Sequence, residues 1–170
     1  MNTVFRAATV DDLAHLAIVE QRAANLFPAG RLPDRSAVMQ KDDLQKCLQD
    51  EMLFVATAKH TVIGFAAGQI EQGFVWLLEM SVDPEHGRKG VGGKLLGQVL
   101  VAGVRRGCSD IVLTTFADLP WNAPFYARHG FMTLPEEQAP VFLQQALEQE
   151  RQAGLTSRVA MQRSLDQARR

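Results

Sequence analysis

The sequence predicts a mixed α/β (α+β) fold built as a single domain. Three strand-like segments follow one another with short turns between them, a pattern typical of an antiparallel meander. A charged, glycine-rich loop then opens an amphipathic helix, and strands and helices alternate from there to the end of the chain. The 170 residues suit one domain over 1–170, with a core between about residues 3 and 165.

The first half of the chain is predicted to contain two helices and four strands. Val4–Ala7 is a short strand, and Thr9 with Asp12 three residues later has the pattern of a helix N-terminus. The apolar stripe that follows predicts a helix to about Phe27, and a more polar helix is expected between Ser36 and Leu48. The strands of the meander are Met52–Ala58, Val62–Ile70 and Phe74–Val82.

The second half of the chain alternates helix and strand. After the loop from Pro84 to Gly93, apolar residues at helical spacing predict a helix that ends near Gly107. The connection from Phe74 to Thr115 is therefore expected to be a right-handed strand–helix–strand crossover. The further predicted elements are the strand Ile111–Thr115, the helix Asn122–His129, the strand Phe131–Leu134, the helix Val141–Ala153 and the strand Arg158–Leu165.

Composition and charge exclude several classes of protein. The chain is 46% hydrophobic and 22% charged, which is an ordinary globular composition. Its formal net charge of −1 gives no global basic field, so we expect no nucleic-acid partner and no membrane partner. Cys47 and Cys108 form no C-x-x-C pair, the N-terminus lacks a secretory pattern, and no apolar run approaches the ~20 residues of a membrane span. These features predict a cytoplasmic protein.

The loop 87–93 is the strongest candidate for a binding site. Its glycines allow several backbone N–H groups to converge at the start of a helix, and Arg88 and Lys89 add two cations, so the loop predicts a phosphate cradle. Two better-known cradles do not fit, because Leu95 stands where a P-loop needs Ser or Thr and where a dinucleotide fingerprint needs its third glycine. On composition alone, a glycine-rich surface turn is an equal alternative.

Two blocks of sequence carry a resemblance to a known family. Residues 87–92, at a strand-to-helix junction, are similar to the motif Q/R-x-x-G-x-G/A, with Gly87 in place of Gln or Arg. Residues 121–131 contain Phe125-Tyr126-Ala127-Arg128-His129-Gly130-Phe131, similar to L/F-Y-x-x-x-G-F. The chain thus resembles the GNAT superfamily of acyl-CoA-dependent N-acetyltransferases. This resemblance implies a mostly antiparallel mixed sheet that splays between its fourth and fifth strands, with helices on both faces, and acetyl-CoA as cosubstrate without a metal.

The resemblance also assigns residues to the cosubstrate. Backbone groups of Met80 and Val82 would pair with pantetheine, and the Met80 N–H would polarise the thioester carbonyl. Asn122 would either contact the cofactor or cap the short helix that follows it. The complete predicted set is Met80, Val82, Gly87, Arg88, Lys89, Gly90, Val91, Gly92, Gly93 and Asn122.

Three side chains are candidates for the chemistry. Tyr126 matches the family tyrosine that protonates the departing thiolate, with a satisfied core tyrosine as the alternative. Glu79 shares the side-chain parity of Ser81, which could aim it into the substrate cleft as a base, and Glu20 interrupts the apolar stripe of the first helix. Either carboxylate could instead bind the substrate ammonium or make a structural hydrogen bond.

The predicted function is transfer of an acetyl group from acetyl-CoA to a primary amine on a small molecule or peptide. An acyl-CoA-binding regulatory or partner module with little catalysis is the alternative, although such a module would need neither Tyr126 nor an inward carboxylate. The four histidines show no metal-ligand spacing. A homodimer is possible, since dimers are common among GNAT proteins.

Overall fold

A computed structural model describes residues 2–166 and confirms the predicted order of elements. The bounds of the strands are β1 Thr3–Ala7, β2 Leu53–Ala58, β3 Thr61–Glu71, β4 Phe74–Val82, β5 Asp110–Phe116, β6 Met132–Leu134 and β7 Arg158–Ser164. The bounds of the helices are α1 Leu13–Ala24, α2 Lys41–Gln49, α3 Val91–Arg105, α4 Ala123–Arg128 and α5 Val141–Gln152. Among residues 2–166, no helix is long and apolar enough to cross a bilayer.

The seven strands form one mixed sheet in the order β1-β2-β3-β4-β5-β7-β6. Strands β4 and β5 pair in parallel, with α3 between them in the chain, and the other neighbours are antiparallel. The parallel pairing runs only from Phe74–Asp110 to Trp76–Val112. Beyond those residues β4 and β5 separate, which confirms the predicted splay.

Helices cover both faces of the sheet, as predicted. Adjacent residues of β3 show the two faces: Phe65 packs with Leu16 of α1, whereas Ala66 packs with Leu95 of α3. Leu143 of α5 packs on the sheet in a third apolar cluster. The core therefore lies in two layers, one on each side of the central strands.

A β-bulge interrupts the pairing of β3 with β4. Ala67 lies opposite Glu79 and Gly68 lies opposite Leu77, so Leu78 is an extra residue in β4. A bulge bends its strand and redirects the side chains that follow it. This one stands where β4 leaves β5.

The bulge changes the alternation of side chains along β4. Val75 and Leu77 before it, and Met80 and Val82 after it, all pack with the cluster under α3. Glu79 consequently turns to the opposite face of the sheet, on which α1 lies. The predicted parity of Glu79, opposite to Met80 and Val82, is correct.

Two helix boundaries differ from the prediction for local reasons. α1 ends at Ala24 and not at Phe27, because the N–H groups of residues 25–27 turn to carbonyls three residues back before Pro28. α2 begins at Lys41 and not at Ser36, since the backbone N–H and hydroxyl of Ser36 both donate to Asp34 and hold a turn.

Candidate active site

The splay between β4 and β5 opens into a cavity of about 600 Å³. Residues 77–82 of β4 and 113–116 of β5 form its inner walls. The glycine loop and α4 line one part of the cavity. The C-terminal end of α1 with Arg158 of β7 lines a second part, called the far end, on the face of the sheet away from α3. The cavity therefore joins both sequence blocks that carry the resemblance.

The glycine loop presents unpaired backbone donors at the start of α3. Arg88 and Gly90 have positive φ angles of 58° and 77°, which turn the chain into the 15-residue helix. After the Gly87 N–H, which donates to Pro84, the next N–H to find a backbone acceptor within residues 2–166 is that of Lys94. Free N–H groups at the N-terminus of a helix are suited to bind phosphate.

A buried carboxylate anchors the approach to this loop. Asp83 accepts a hydrogen bond from the Glu85 N–H at 3.1 Å and pairs with Arg22 of α1 at 2.6 Å. The loop is thereby connected to the helix on the far face of the sheet, which stabilises its position relative to the cavity.

The predicted cofactor residues, apart from Lys89, all line the cavity. The ammonium of Lys89 instead donates to the Glu85 carbonyl at 3.1 Å. Arg88 is exposed at the cavity and forms no ion pair with any residue of the described part of the chain. Packing also favours glycine at position 93, because a Cβ there would lie 3.0 Å from Nε2 of His129.

Asn122 stands at the N-cap position of α4, but its side chain does not cap the helix. Its Oδ1 is buried and, within residues 2–166, has no hydrogen-bond partner, while Nδ2 lies 3.4 Å from the Trp121 carbonyl. The capping bond considered from the sequence is therefore absent. An unpaired acceptor in the cavity wall leaves Asn122 available to a ligand.

Glu79 lines the cavity and accepts two short hydrogen bonds. Its Oε1 accepts from the Ser81 hydroxyl at 2.8 Å and from the Met80 N–H at 3.1 Å. Burial raises the pKa of Glu79 above its usual range, although these two donors and the cation of Arg158 oppose the shift. The Met80 N–H, predicted to polarise a thioester, is thus paired with Glu79 in this structure.

Glu20 faces inward from α1, as its position in the apolar stripe predicts, but it does not line the cavity. Its Oε2 accepts a hydrogen bond from the Met39 N–H at 3.0 Å. Burial and the negative charge of Glu79 raise the pKa of Glu20 to about 7, against the pull of the Met39 donor. The two candidate carboxylates therefore interact through their charges.

Tyr126 is 7% exposed and projects from α4 into the cavity wall. Its ring packs edge-on against Phe125 and Phe131, at centroid distances of 5.2 and 5.4 Å. Burial, with the charge of Glu79, raises the pKa of Tyr126, so its hydroxyl keeps its proton at neutral pH. No described residue forms a hydrogen bond with that hydroxyl, so the alternative of a satisfied core tyrosine is not supported.

Sequence reasoning missed the far end of the cavity. The pairing of β5 with β7 places Arg158 directly opposite Phe116, with the guanidinium carbon 4.6 Å from the ring centroid. Phe27 lies 5.6 Å from Phe116 and 5.8 Å from Trp121, measured between ring centroids. No local pattern brings these residues together, because the strand order β4-β5-β7 does so.

Comparison with known proteins identifies the family. The family model described as the acetyltransferase (GNAT) family matches residues 18–131. The chain belongs to this family. It is accordingly an enzyme of the acyltransferase class, and the GNAT fold expected from the two sequence blocks is confirmed. No group of three or more potential metal ligands occurs in the part of the chain that the structure describes.

Solved structures agree with the GNAT fold. N-acetylglutamate synthase from Neisseria gonorrhoeae, complexed with coenzyme A and N-acetyl-glutamate, has a TM-score of 0.73 at 18% identity; the match covers 97% of this chain but 35% of that one. The PaiA N-acetyltransferase from Thermoplasma acidophilum, in complex with coenzyme A, has a TM-score of 0.68 at 19% identity over 96% and 99% of the two chains. The ribosomal-protein-S18-alanine N-acetyltransferase from Escherichia coli gives 0.70 at 19% identity over 96% and 94%.

Proposed function

We propose that this GNAT protein transfers an acetyl group from acetyl-CoA to a primary amine, by direct attack in a ternary complex. The observation that carries the proposal is the cavity in the β4–β5 splay. It has free N–H donors of the glycine loop at one end, and Glu79 and Tyr126 in its walls. Two structures of the same fold, N-acetylglutamate synthase and PaiA, contain coenzyme A, which supports the choice of cosubstrate.

Acetyl-CoA would lie along the loop and the splayed strand. The N–H groups of residues 88–93 and the Arg88 cation would bind the diphosphate, so Arg88 compensates for the Gln or Arg that Gly87 replaces. Backbone groups of Met80 and Val82 would pair with pantetheine, and Asn122 offers its free Oδ1. The thioester carbonyl would accept from the Met80 N–H in place of Glu79.

Glu79 is the proposed base. An alkylamine has a pKa near ~10.4, so only about one molecule in a thousand is neutral at pH 7, and a proton must leave before attack. The raised pKa of Glu79 makes it a stronger base than an ordinary carboxylate, acting directly or through water. Glu20, whose pKa is raised by the charge of Glu79 but which does not line the cavity, is the second candidate.

Tyr126 is the proposed general acid. Its unshared hydroxyl projects toward the cavity and carries a proton at neutral pH, which the departing thiolate of coenzyme A needs. Because the amine attacks the thioester directly, no covalent enzyme intermediate forms. Orientation of the two substrates would supply much of the acceleration.

The test is release of free thiol from acetyl-CoA with a panel of primary amines, alongside calorimetric binding of coenzyme A. We expect turnover with at least one amine, and a loss of roughly 100-fold or more in kcat for Tyr126→Phe with unchanged affinity for coenzyme A. Binding of coenzyme A without thiol release from any amine would favour the regulatory module. A Tyr126→Phe variant as fast as the parent would remove Tyr126 from the mechanism.

Three broader proposals accompany this activity. We propose that residues 1–170 act as one N-acetyltransferase domain, since the sheet runs without interruption from β1 to β7. We propose a cytoplasmic location, because Cys47 and Cys108 are both buried as free thiols, as suits a reducing compartment. We propose a homodimer as the third, and sedimentation of the purified protein tests it.

A further inference from the structure

The far end of the cavity combines an aromatic surface with one arginine. Phe27 and Trp121 supply accessible aromatic rings beside the buried ring of Phe116, and Thr114 and Arg158 supply polar groups. We call these five residues the acceptor end. It lies on the face of the sheet that carries α1 and α5, whereas the glycine loop opens α3 on the other face, so acetyl-CoA bound as proposed leaves it open.

Arg158 is held in one orientation by its neighbours. Its Nε donates to Oε2 of Glu150 at 3.0 Å, and its Nη2 donates to Oε1 of Glu150 at 3.1 Å and to the Thr114 hydroxyl oxygen at 3.2 Å. The Thr114 hydroxyl in turn donates to Glu150 at 2.6 Å. A guanidinium fixed along one edge in this way loses little conformational entropy when a ligand binds its remaining donors.

The two N–H groups on Nη1 of Arg158 are those remaining donors. No residue in the range 2–166 accepts from Nη1, and the atom is not sealed from solvent, since it is absent from the buried unpaired atoms of this structure. Arg158 lines the same cavity as Glu79 and Tyr126, the proposed reacting groups. A ligand oxygen at Nη1 would thus lie beside the β4–β5 splay.

The charges at this end favour a ligand without net charge. Arg158 pairs with Glu150, and Arg31, which stacks 4.9 Å from the centroid of Phe116, pairs with Asp118. The two pairs sum to zero. A zwitterion would meet the Nη1 donor of Arg158 with its carboxylate and the carboxylate of Glu79, which lines the same cavity, with its ammonium.

We infer that the acceptor is an α-amino acid with an apolar side chain, bound by its carboxylate at Nη1 of Arg158 and by its side chain against Phe27 and Trp121. The amino group then points toward Glu79 and the thioester. This inference rests on the proposed function, because it names the acceptor of that reaction.

Calorimetry on the protein saturated with coenzyme A tests the recognition without requiring turnover. We expect L-phenylalanine to bind roughly 10-fold or more tightly than phenethylamine, which has no group to accept from Nη1, and than L-phenylalanine amide, whose carbonyl still accepts from Nη1 but carries no negative charge. Glycine should also bind more weakly than L-phenylalanine. Equal or tighter binding of any of these three, or no saturable binding of L-phenylalanine, would overturn the inference.

A substitution at Arg158 separates recognition from structure. Arg158→Lys keeps a cation beside Glu150 but removes Nη1, so L-phenylalanine should bind no better than phenethylamine, with phenethylamine and coenzyme A affinities unchanged. Arg151→Lys changes an ion-paired arginine of α5 outside the cavity and should alter none of the affinities. A parallel loss for L-phenylalanine and phenethylamine in Arg158→Lys would indicate a structural role and overturn the inference.

Two further measurements keep the outcomes separate. If Arg158→Lys does not fold by its thermal unfolding curve, the double variant Arg158→Gln/Glu150→Gln, which removes both charges of the pair, replaces it with the same expectation. Thiol release is then measured with each ligand. Tight L-phenylalanine binding without thiol release contradicts the proposed transfer but supports the recognition, whereas equal turnover of phenethylamine and L-phenylalanine supports transfer and overturns the inference.

Discussion

Substitution of Glu20 by Gln should stabilise the protein at alkaline pH. Glu20 is a half-buried carboxyl whose pKa is raised to about 7, from an ordinary value of 4.5, by burial and by the charge of Glu79. The folded state therefore holds the proton more tightly than the unfolded chain does. Below pH ~4.5 both states are protonated and no penalty exists; the penalty grows as pH rises and is complete above pH ~7.

The size of this effect follows from the same values. A carboxyl with a pKa of about 7 in place of 4.5 lowers the free energy of unfolding by at most ~3 kcal/mol once it is ionised. Partial contact with water reduces this, so we expect a gain of about 1–2 kcal/mol for Glu20→Gln at pH 8 and about zero at pH 4. The glutamine carbonyl can still accept the hydrogen bond from the Met39 N–H, so the charge is the main change.

Urea unfolding at a series of pH values measures this difference. Glu51→Gln is the control, because the Glu51 side chain is 80% exposed and its ion pair with Arg106, at 3.2 Å, lies at the surface, where such pairs contribute little. The quantity compared is the free energy of unfolding of Glu20→Gln minus that of the parent. A difference that is the same at pH 4 and pH 8, or negative at pH 8, would refute the reasoning that the surroundings of Glu20 destabilise its ionised form.

Two further predictions concern the loop and the core. Arg88→Gln should weaken coenzyme A binding roughly 3- to 10-fold by calorimetry, whereas Lys89→Gln, which changes a residue outside the cavity, should have less effect; the reverse order would contradict the proposed diphosphate site. Gly103→Ala should destabilise the protein by about 1 kcal/mol in urea unfolding, because the new Cβ would lie 2.7 Å from the buried Val75 side chain, and overpacking outweighs the helix propensity gained. A Cβ at Gly97, in the same helix, would meet nothing within 4 Å, so Gly97→Ala should increase the free energy of unfolding. A change of the same sign in both variants would contradict this account.

Much of the fold could be predicted because its signals are local. The meander, the amphipathic α3 and the glycine loop are each visible in a short stretch of sequence, and the structure confirms them. The start of α2 could not be predicted, because the turn that delays it depends on donation from Ser36 to Asp34 in competition with a helix. Likewise, Lys89 was predicted to bind the cofactor, but its ammonium donates to the Glu85 carbonyl, a contact that the sequence does not indicate.

The far end of the cavity was out of reach for a different reason. Arg158 is the first residue of β7, and nothing in the local sequence distinguishes an arginine there from an ordinary surface residue. Only the order β4-β5-β7 brings it opposite Phe116 and into the cavity. The β-bulge at Leu78 was not predicted either, because it depends on how β4 pairs with β3. Residues brought together by register cannot be deduced from periodicity along one strand.

The Met80 N–H couples the base to the cofactor in the proposed mechanism. Oε1 of Glu79 accepts from the Met80 N–H at 3.1 Å, a bond that lowers the pKa of Glu79. A thioester carbonyl that takes this N–H removes the donor, so acetyl-CoA should raise the pKa of Glu79 and make it a stronger base when it is needed.

The pH dependence of the rate tests this coupling. Activity requires ionised Glu79, so the rate falls as pH drops through its pKa; kcat/KM for acetyl-CoA reports the free enzyme and kcat reports the bound complex. We therefore expect the acid limb of kcat at a higher pH than that of kcat/KM, and its loss from both profiles in Glu79→Gln. Acid limbs at the same pH in both profiles would mean that the Met80 N–H keeps its bond to Glu79 throughout, and the thioester would then need another donor to stabilise its oxyanion.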